Sequence, residues 1–161
     1  MGKIFFKKPI LLIYLTLGIL IGGISLEVVT PHQTYRQVKA TFLSDKGAFS
    51  FDAEVAESQA QVILGLMRRP QLGQAKGMLF VFPDVSLRYF WMKNTLIPLD
   101  IIFISDTKRI VYIAQQAQPC PQPPCPTYDS QQLAQYVMEI NGGLSQELGL
   151  KAGDRVEFNL K

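Results

Sequence analysis

The order of apolar and polar positions divides the chain into an apolar head, a polar stretch and a region of short strands. Residues 9–29 are apolar apart from Tyr14, Thr16, Ser25, Glu27 and glycines. They lack the polar face that a helix packed on a globular core would carry. Residues 30–47 are polar and without periodicity, the pattern of a tether. Beyond them Phe49, Phe51, Ala53 and Val55 alternate with polar residues, the period of a half-buried strand. Ser58 followed by Gln61 predicts a capping box opening a helix that carries Val62, Ile63, Leu66 and Met67. Arg68 and Arg69 suit the negative end of that helix, and Pro70 stops it.

Residues 77–82 are almost wholly apolar, as in a strand covered on both faces. Residues 89–93 and 99–104 predict two strands around a tight connection at 94–98, with Pro98 tolerated at a strand start. Residues 110–114 and 137–140 predict two more, and Val156, Phe158 and Leu160 alternate as the last. Gly142-Gly143 opens a short helical segment ending near Gly149, and Gly153-Asp154 turns into the final strand. About six or seven short strands with one or two helices predict an α+β fold. The expected architecture is a compact β-rich domain over residues 48–161, a strongly curved mixed or antiparallel sheet or partial barrel. Residues 1–29 precede it as a signal-anchor or signal peptide, and 30–47 as the tether.

Charge sharpens the reading of the head. Lys3, Lys7 and Lys8 precede the apolar run, and no acidic residue occurs before Glu27. Such an arrangement holds the amino end in the cytoplasm and places the rest of the chain outside. Residues 9–29 just reach the roughly 20 apolar residues that an uncleaved anchor needs. Gly23 and Ser25 make only a mediocre cleavage site for a signal peptide. The anchor is the favoured reading, with the domain on the periplasmic side of the cytoplasmic membrane; cleavage would release it there. The net charge of +3 is the charge of those three lysines, so the remainder is balanced. No basic stripe is left to follow a phosphate backbone, which sets nucleic-acid binding aside.

Four ordered motifs carry a family resemblance: Gly65-Leu66-Met67-Arg68-Arg69, Gly77-Met78-Leu79-Phe80-Val81-Phe82, Phe90-Trp91-Met92-Lys93-Asn94-Thr95 and Pro98-Leu99-Asp100-Ile101-Ile102-Phe103-Ile104. A loop rich in proline and cysteine, Glu139, Gly142-Gly143 and Gly149-Leu150-Lys151-Ala152-Gly153-Asp154 come after them. Over about residues 48–160 the chain closely resembles the bacterial and archaeal family called domain of unknown function 192. The resemblance implies a compact β-rich α+β domain, often behind a signal or anchor, and implies no established activity.

The candidate chemistry starts from exclusions. The one histidine, His32, lies in the polar stretch, so the domain holds no Ser-His-Asp or Cys-His arrangement and no histidine-rich zinc site of its own. No phosphate-cradling glycine loop occurs. No cofactor and no metal are expected. Cys120 and Cys125 are the only cysteines; an even count in an oxidising compartment predicts a disulfide pinning an exposed loop. The alternatives are a metal site short of two ligands and a redox pair whose spacing is not Cys-x-x-Cys.

Strand alternation puts Tyr89, Trp91 and Lys93 on one face and Phe90, Met92 and Asn94 on the other. Trp91 is then either a core residue, the commoner place for a large aromatic, or the wall of a shallow pocket beside Lys93 and Asn94. Asp100 and Glu139 interrupt apolar strands, so each must find partners or shift its pKa. Arg68, Arg69 and Lys93 are the available cations. Both carboxylates are expected in ion pairs or as caps on backbone groups. The sharper alternative brings Arg68, Lys93, Asp100 and Glu139 to one site, where two carboxylates could act as acid and base on a carbohydrate. Tyr128 lines the same cleft or covers the sheet. The leading functional expectation is a membrane-tethered binding or accessory module for an envelope protein or small ligand. A structural partner of an envelope complex comes next, and a carbohydrate-active hydrolase or lyase using Asp100 and Glu139 last.

Overall fold

The structure, a computed structural model, describes residues 34–161; the membrane segment expected over 1–29 lies outside them. Nine strands and two short helices follow in chain order: β1 (Arg36–Ser44), β2 (Gly47–Ala56), α1 (Gln59–Leu64), β3 (Lys76–Ser86), β4 (Tyr89–Trp91), β5 (Leu99–Ile104), β6 (Ile110–Ala117), β7 (Thr127–Asp129), β8 (Ala134–Asn141), α2 (Leu144–Glu147) and β9 (Arg155–Glu157). Seven strands form one mixed sheet in the order β6-β5-β8-β3-β2-β1-β9, and β4 and β7 make a separate two-stranded ribbon. Only β2 and β3 run parallel, joined through α1. The sheet curls into a half-barrel. Its two edges approach at one end, where Ile110 N–H donates to the Asp154 carbonyl (2.9 Å) and Val156 N–H to that of Lys108 (2.9 Å). Meeting edges leave fewer unpaired backbone groups open to association.

The tether expectation fails over residues 36–44, which are β1. Val38, Ala40 and Phe42 alternate there, and Ala40 and Phe42 are buried. β1 pairs along its whole length with β2 and on its other side with β9, so its apolar face is covered by partners distant in sequence. The predicted helix is also shorter than expected. The Ser58–Gln61 capping box is present, but the helix ends at Leu64, and Gly65 takes a positive φ of 48° that a side chain would strain. Arg68 and Arg69 therefore lie in the loop after α1.

Two apolar clusters cover the two faces of the sheet. Inside the curl lie Phe42, Phe51, Leu79, Ile102, Ile104, Met138, Ile140 and Val156. Outside, Met78, Phe80, Ile101, Phe103 and Val137 are covered by Leu66, Met92 and the ribbon. Phe90 seats the ribbon, standing edge-on to Phe80 at 5.0 Å and to Phe103 at 5.9 Å, geometry favoured by the ring quadrupoles. The chain passes closest at Gly77, where an added Cβ would stand 2.6 Å from the Glu139 carbonyl.

Candidate functional site

The β4–β7 register sets which ring faces where. Phe90 stands opposite Tyr128 and Trp91 opposite Thr127, and directly opposed residues share a face. Phe90 and Tyr128 both pack on the outer cluster. Tyr128 thus covers the sheet. Tyr89 and Trp91 point the other way and are 65% and 50% exposed. The expectation of Trp91 as core is overturned because β4 forms a ribbon over the sheet, with one face outward, and is not a strand within it. Lys93 sends its Nζ to 5.1 Å from the Trp91 ring centre, near enough for a cation–π contact. Asn94 contributes backbone: its carbonyl accepts from Arg68 N–H at 2.8 Å, and its N–H donates to the Cys120 carbonyl at 3.1 Å. The Arg68 side chain is exposed.

Between α1 and β4 runs a groove of about 360 Å³, walled by Val62 and Ile63 on one side and Tyr89, Phe90 and Trp91 on the other. Phe82, Leu87 and Arg88 continue it. It adjoins a small void of about 40 Å³ that shares Val62, Ile63, Phe90 and Trp91 and reaches down to Leu66, Phe80, Thr95 and Glu139. Glu139 is only 5% exposed. Burial pushes its carboxyl up to about 8, and the Arg69 charge pulls it back only in part, with no hydrogen bond acting on it. Arg69 is itself clasped by Glu54 through two hydrogen bonds of 2.9 and 2.5 Å. At neutral pH, Glu139 is therefore mostly an uncharged acid in the void wall, able to donate as well as accept.

Asp100 does different work on the other side of the sheet. It pairs in register with Ile140, whereas Glu139 pairs with Ile101 and Met78. Neighbours along a strand alternate faces, so the two carboxylates point to opposite sides and cannot flank one substrate. Asp100 is fully buried and accepts from Gln116 N–H (2.7 Å), Gly143 N–H (2.9 Å) and Ser145 N–H (2.7 Å). Between Leu99↔Ala117 and Ile101↔Ala114 one residue of β5 faces two of β6. That is a β-bulge, and Asp100 takes an N–H that the ladder leaves free. The acid–base pair is excluded by this geometry, and Asp100 is a cap on backbone groups.

Cys120 and Cys125 form a disulfide. It closes the loop after β6, which Cys120 N–H ties to the Met92 carbonyl at 3.1 Å. So small a loop contributes about 2 kcal/mol by chain entropy. Among the described residues no group of three or more histidine, cysteine, aspartate or glutamate side chains could hold a metal ion. Of the residues singled out in the sequence, the groove and its floor bring together Trp91 and Glu139, with Lys93 lying over the ring and Arg69 acting on the acid. Arg68 and Asn94 meet beside it through backbone. Val62, Ile63, Leu87, Tyr89 and Thr95 were not foreseen as site residues. The alternation that pairs Tyr89 with Trp91, and the polar Lys93-Asn94-Thr95 run that follows and suits a cleft edge, are the sequence signals for Tyr89 and Thr95.

No curated protein matches the chain. Two crystal structures are similar to it, each with a TM-score of 0.74. One is a protein of unknown function from Novosphingobium aromaticivorans DSM 12444, 38% identical, the match covering 80% of this chain and 90% of that one. The other, described as a putative transcription regulator from Sinorhizobium meliloti 1021, is 33% identical over 79% of this chain and 97% of its own. The model of the family described as DUF192, Uncharacterized ACR, matches residues 41–158. The chain belongs to the domain of unknown function 192 family.

Proposed function

We propose that this chain is an extracytoplasmic, membrane-tethered binding module whose ligand lies in the groove between α1 and β4. One observation carries the reading. Tyr89 and Trp91 stand exposed beside a groove whose floor opens onto the carboxyl of Glu139, a residue 5% exposed. Burial raises the pKa of that carboxyl, and groups perturbed by desolvation in a cleft collect at sites of function. The apolar walls with few polar groups also match the usual make-up of a ligand cleft. The basic residues ahead of the apolar run support export, and the disulfide supports an oxidising compartment.

Export has a direct readout. In cells, Cys120 and Cys125 of the full chain are expected to resist thiol alkylation, and deletion of residues 1–29 to leave both thiols reactive, because the cytosol keeps thiols reduced. Equal protection with and without that segment would remove the case for export.

Binding can be followed on the full chain in detergent, since Trp91 is its single tryptophan. Titration with soluble glycan and peptide fragments of the cell envelope is expected to give a saturable change in Trp91 emission. Tyr89→Ala should weaken that binding about tenfold or more, as loss of an aromatic anchor does. If no fragment changes the emission, or if it changes only with the concentration of the protein itself, the groove does not bind envelope ligands.

A further inference from the structure

The void beneath the groove defines the ligand more narrowly, and this step rests on the binding reading above. We propose that it receives the short acyl group of an uncharged sugar, with the acyl carbonyl accepting a hydrogen bond from Glu139 and the sugar ring lying against Tyr89 and Trp91. The ligand class is an N-acetylated saccharide.

Three features point to this chemistry. A void of about 40 Å³ has room for roughly three water-sized groups, the size of a carbonyl carbon, its oxygen and a methyl. Its wall offers the Glu139 carboxyl and the Thr95 hydroxyl as polar groups and Val62, Leu66 and Phe80 as apolar ones, so the polar and the apolar part of an acyl group both find a match. Above it Trp91 and Tyr89 present rings that can carry the apolar face of a pyranose.

The charges around Glu139 favour a neutral ligand. From β3 and β5 its strand neighbours are Met78 and Ile101, and α1 and β4 contribute Val62, Ile63, Phe90 and Trp91, none of them ionisable. Among the described residues Arg69, in the loop after α1 and held by Glu54 of β2, is the one charge acting on it. A cationic ligand would meet Arg88 and Lys93 along the groove. A neutral acceptor meets a donor that no described residue engages.

The test uses the full chain, Trp91 emission and three probes: the N-acetylglucosamine trimer, its de-acetylated ammonium counterpart and the glucose trimer. At pH 6 the acetylated trimer is expected to bind at least tenfold tighter than the glucose trimer, and the ammonium trimer not to bind. As pH rises the donor proton is lost, so affinity should hold below about pH 7 and fall towards tenfold per pH unit above about 8. Glu139→Gln keeps a donor and should stay within about threefold of wild type at pH 6 while losing the pH dependence. Glu139→Leu should bind about tenfold more weakly, the effect of one lost hydrogen bond. Binding of the ammonium trimer that tightens with rising pH would overturn the proposal and make Glu139 a carboxylate for cations. Equal binding of an N-acetylated dipeptide amide would overturn the sugar assignment. Should envelope fragments change Trp91 emission with no preference for the acetylated trimer and no pH effect, the acyl proposal fails and the groove stands. Should nothing change it, both fail.

Discussion

Glu139→Gln is expected to stabilise the fold by about 3 kcal/mol at pH 7, an unusual direction for a change at a buried site. The carboxyl ionises near 4.5 in the open chain and at about 8 in the folded one. The folded state therefore holds a proton that the unfolded state has released throughout that window. Stability must fall as pH rises from about 4.5 to about 8, and is unaffected by this group below it. The amide has the shape of the neutral acid and cannot ionise, so the variant escapes the penalty. Urea denaturation of both proteins should give similar stabilities near pH 4.5 and a widening gap up to pH 8. A gap that is the same at both ends would mean that Glu139 is not held neutral.

The second large effect has the opposite sign and lies on the opposite face. Asp100→Ala removes the acceptor of three N–H groups, that of Ser145 buried and those of Gln116 and Gly143 half-buried. Each orphaned donor costs about 1–3 kcal/mol, so a loss of roughly 4 kcal/mol or more is expected, a large part of the 5–15 kcal/mol that holds a typical domain. Asp100→Asn can keep its oxygen on Gln116 and Gly143, the pair that share one carboxylate oxygen, but turns an NH₂ towards Ser145 N–H. Its cost should be about 2 kcal/mol. Hydrogen exchange offers a local check, because the amides of Gln116, Gly143 and Ser145 should exchange faster in Asp100→Asn than in wild type. Unchanged exchange at all three would show that Asp100 does not hold the β6 bulge and α2. Where the Asp100 variant remains folded, its affinity at the groove should be that of wild type, since the sheet separates the two sites.

These two carboxylates also mark where sequence reasoning stops. Both interrupt apolar strands, and both were legible as groups in need of partners. Which partners they have depends on the pairing of β5 with β8, where Asp100 faces Ile140 and Ile101 faces Glu139. A shift of one residue in that pairing would put them on the same side. Register between strands some forty residues apart is a property of the assembled sheet, and nothing near either residue encodes it.

What the sequence determined by itself is what short-range physics controls. Ser58 and Gln61 close their capping box within three residues. The apolar run of β5 is buried at every position, as a strand covered on both faces must be. Cys120 and Cys125, five residues apart, found one another, and the family motifs were readable directly. What only the tertiary structure decided is what long-range pairing controls. β1 reads as polar until β2 and β9 flank it, and Trp91 reads as core until β4 leaves the sheet to pair with β7. The groove itself joins a helix, a ribbon and the centre of a sheet. Alternation along a strand says which residues share a face, but which face meets solvent is settled by the elements packed against it.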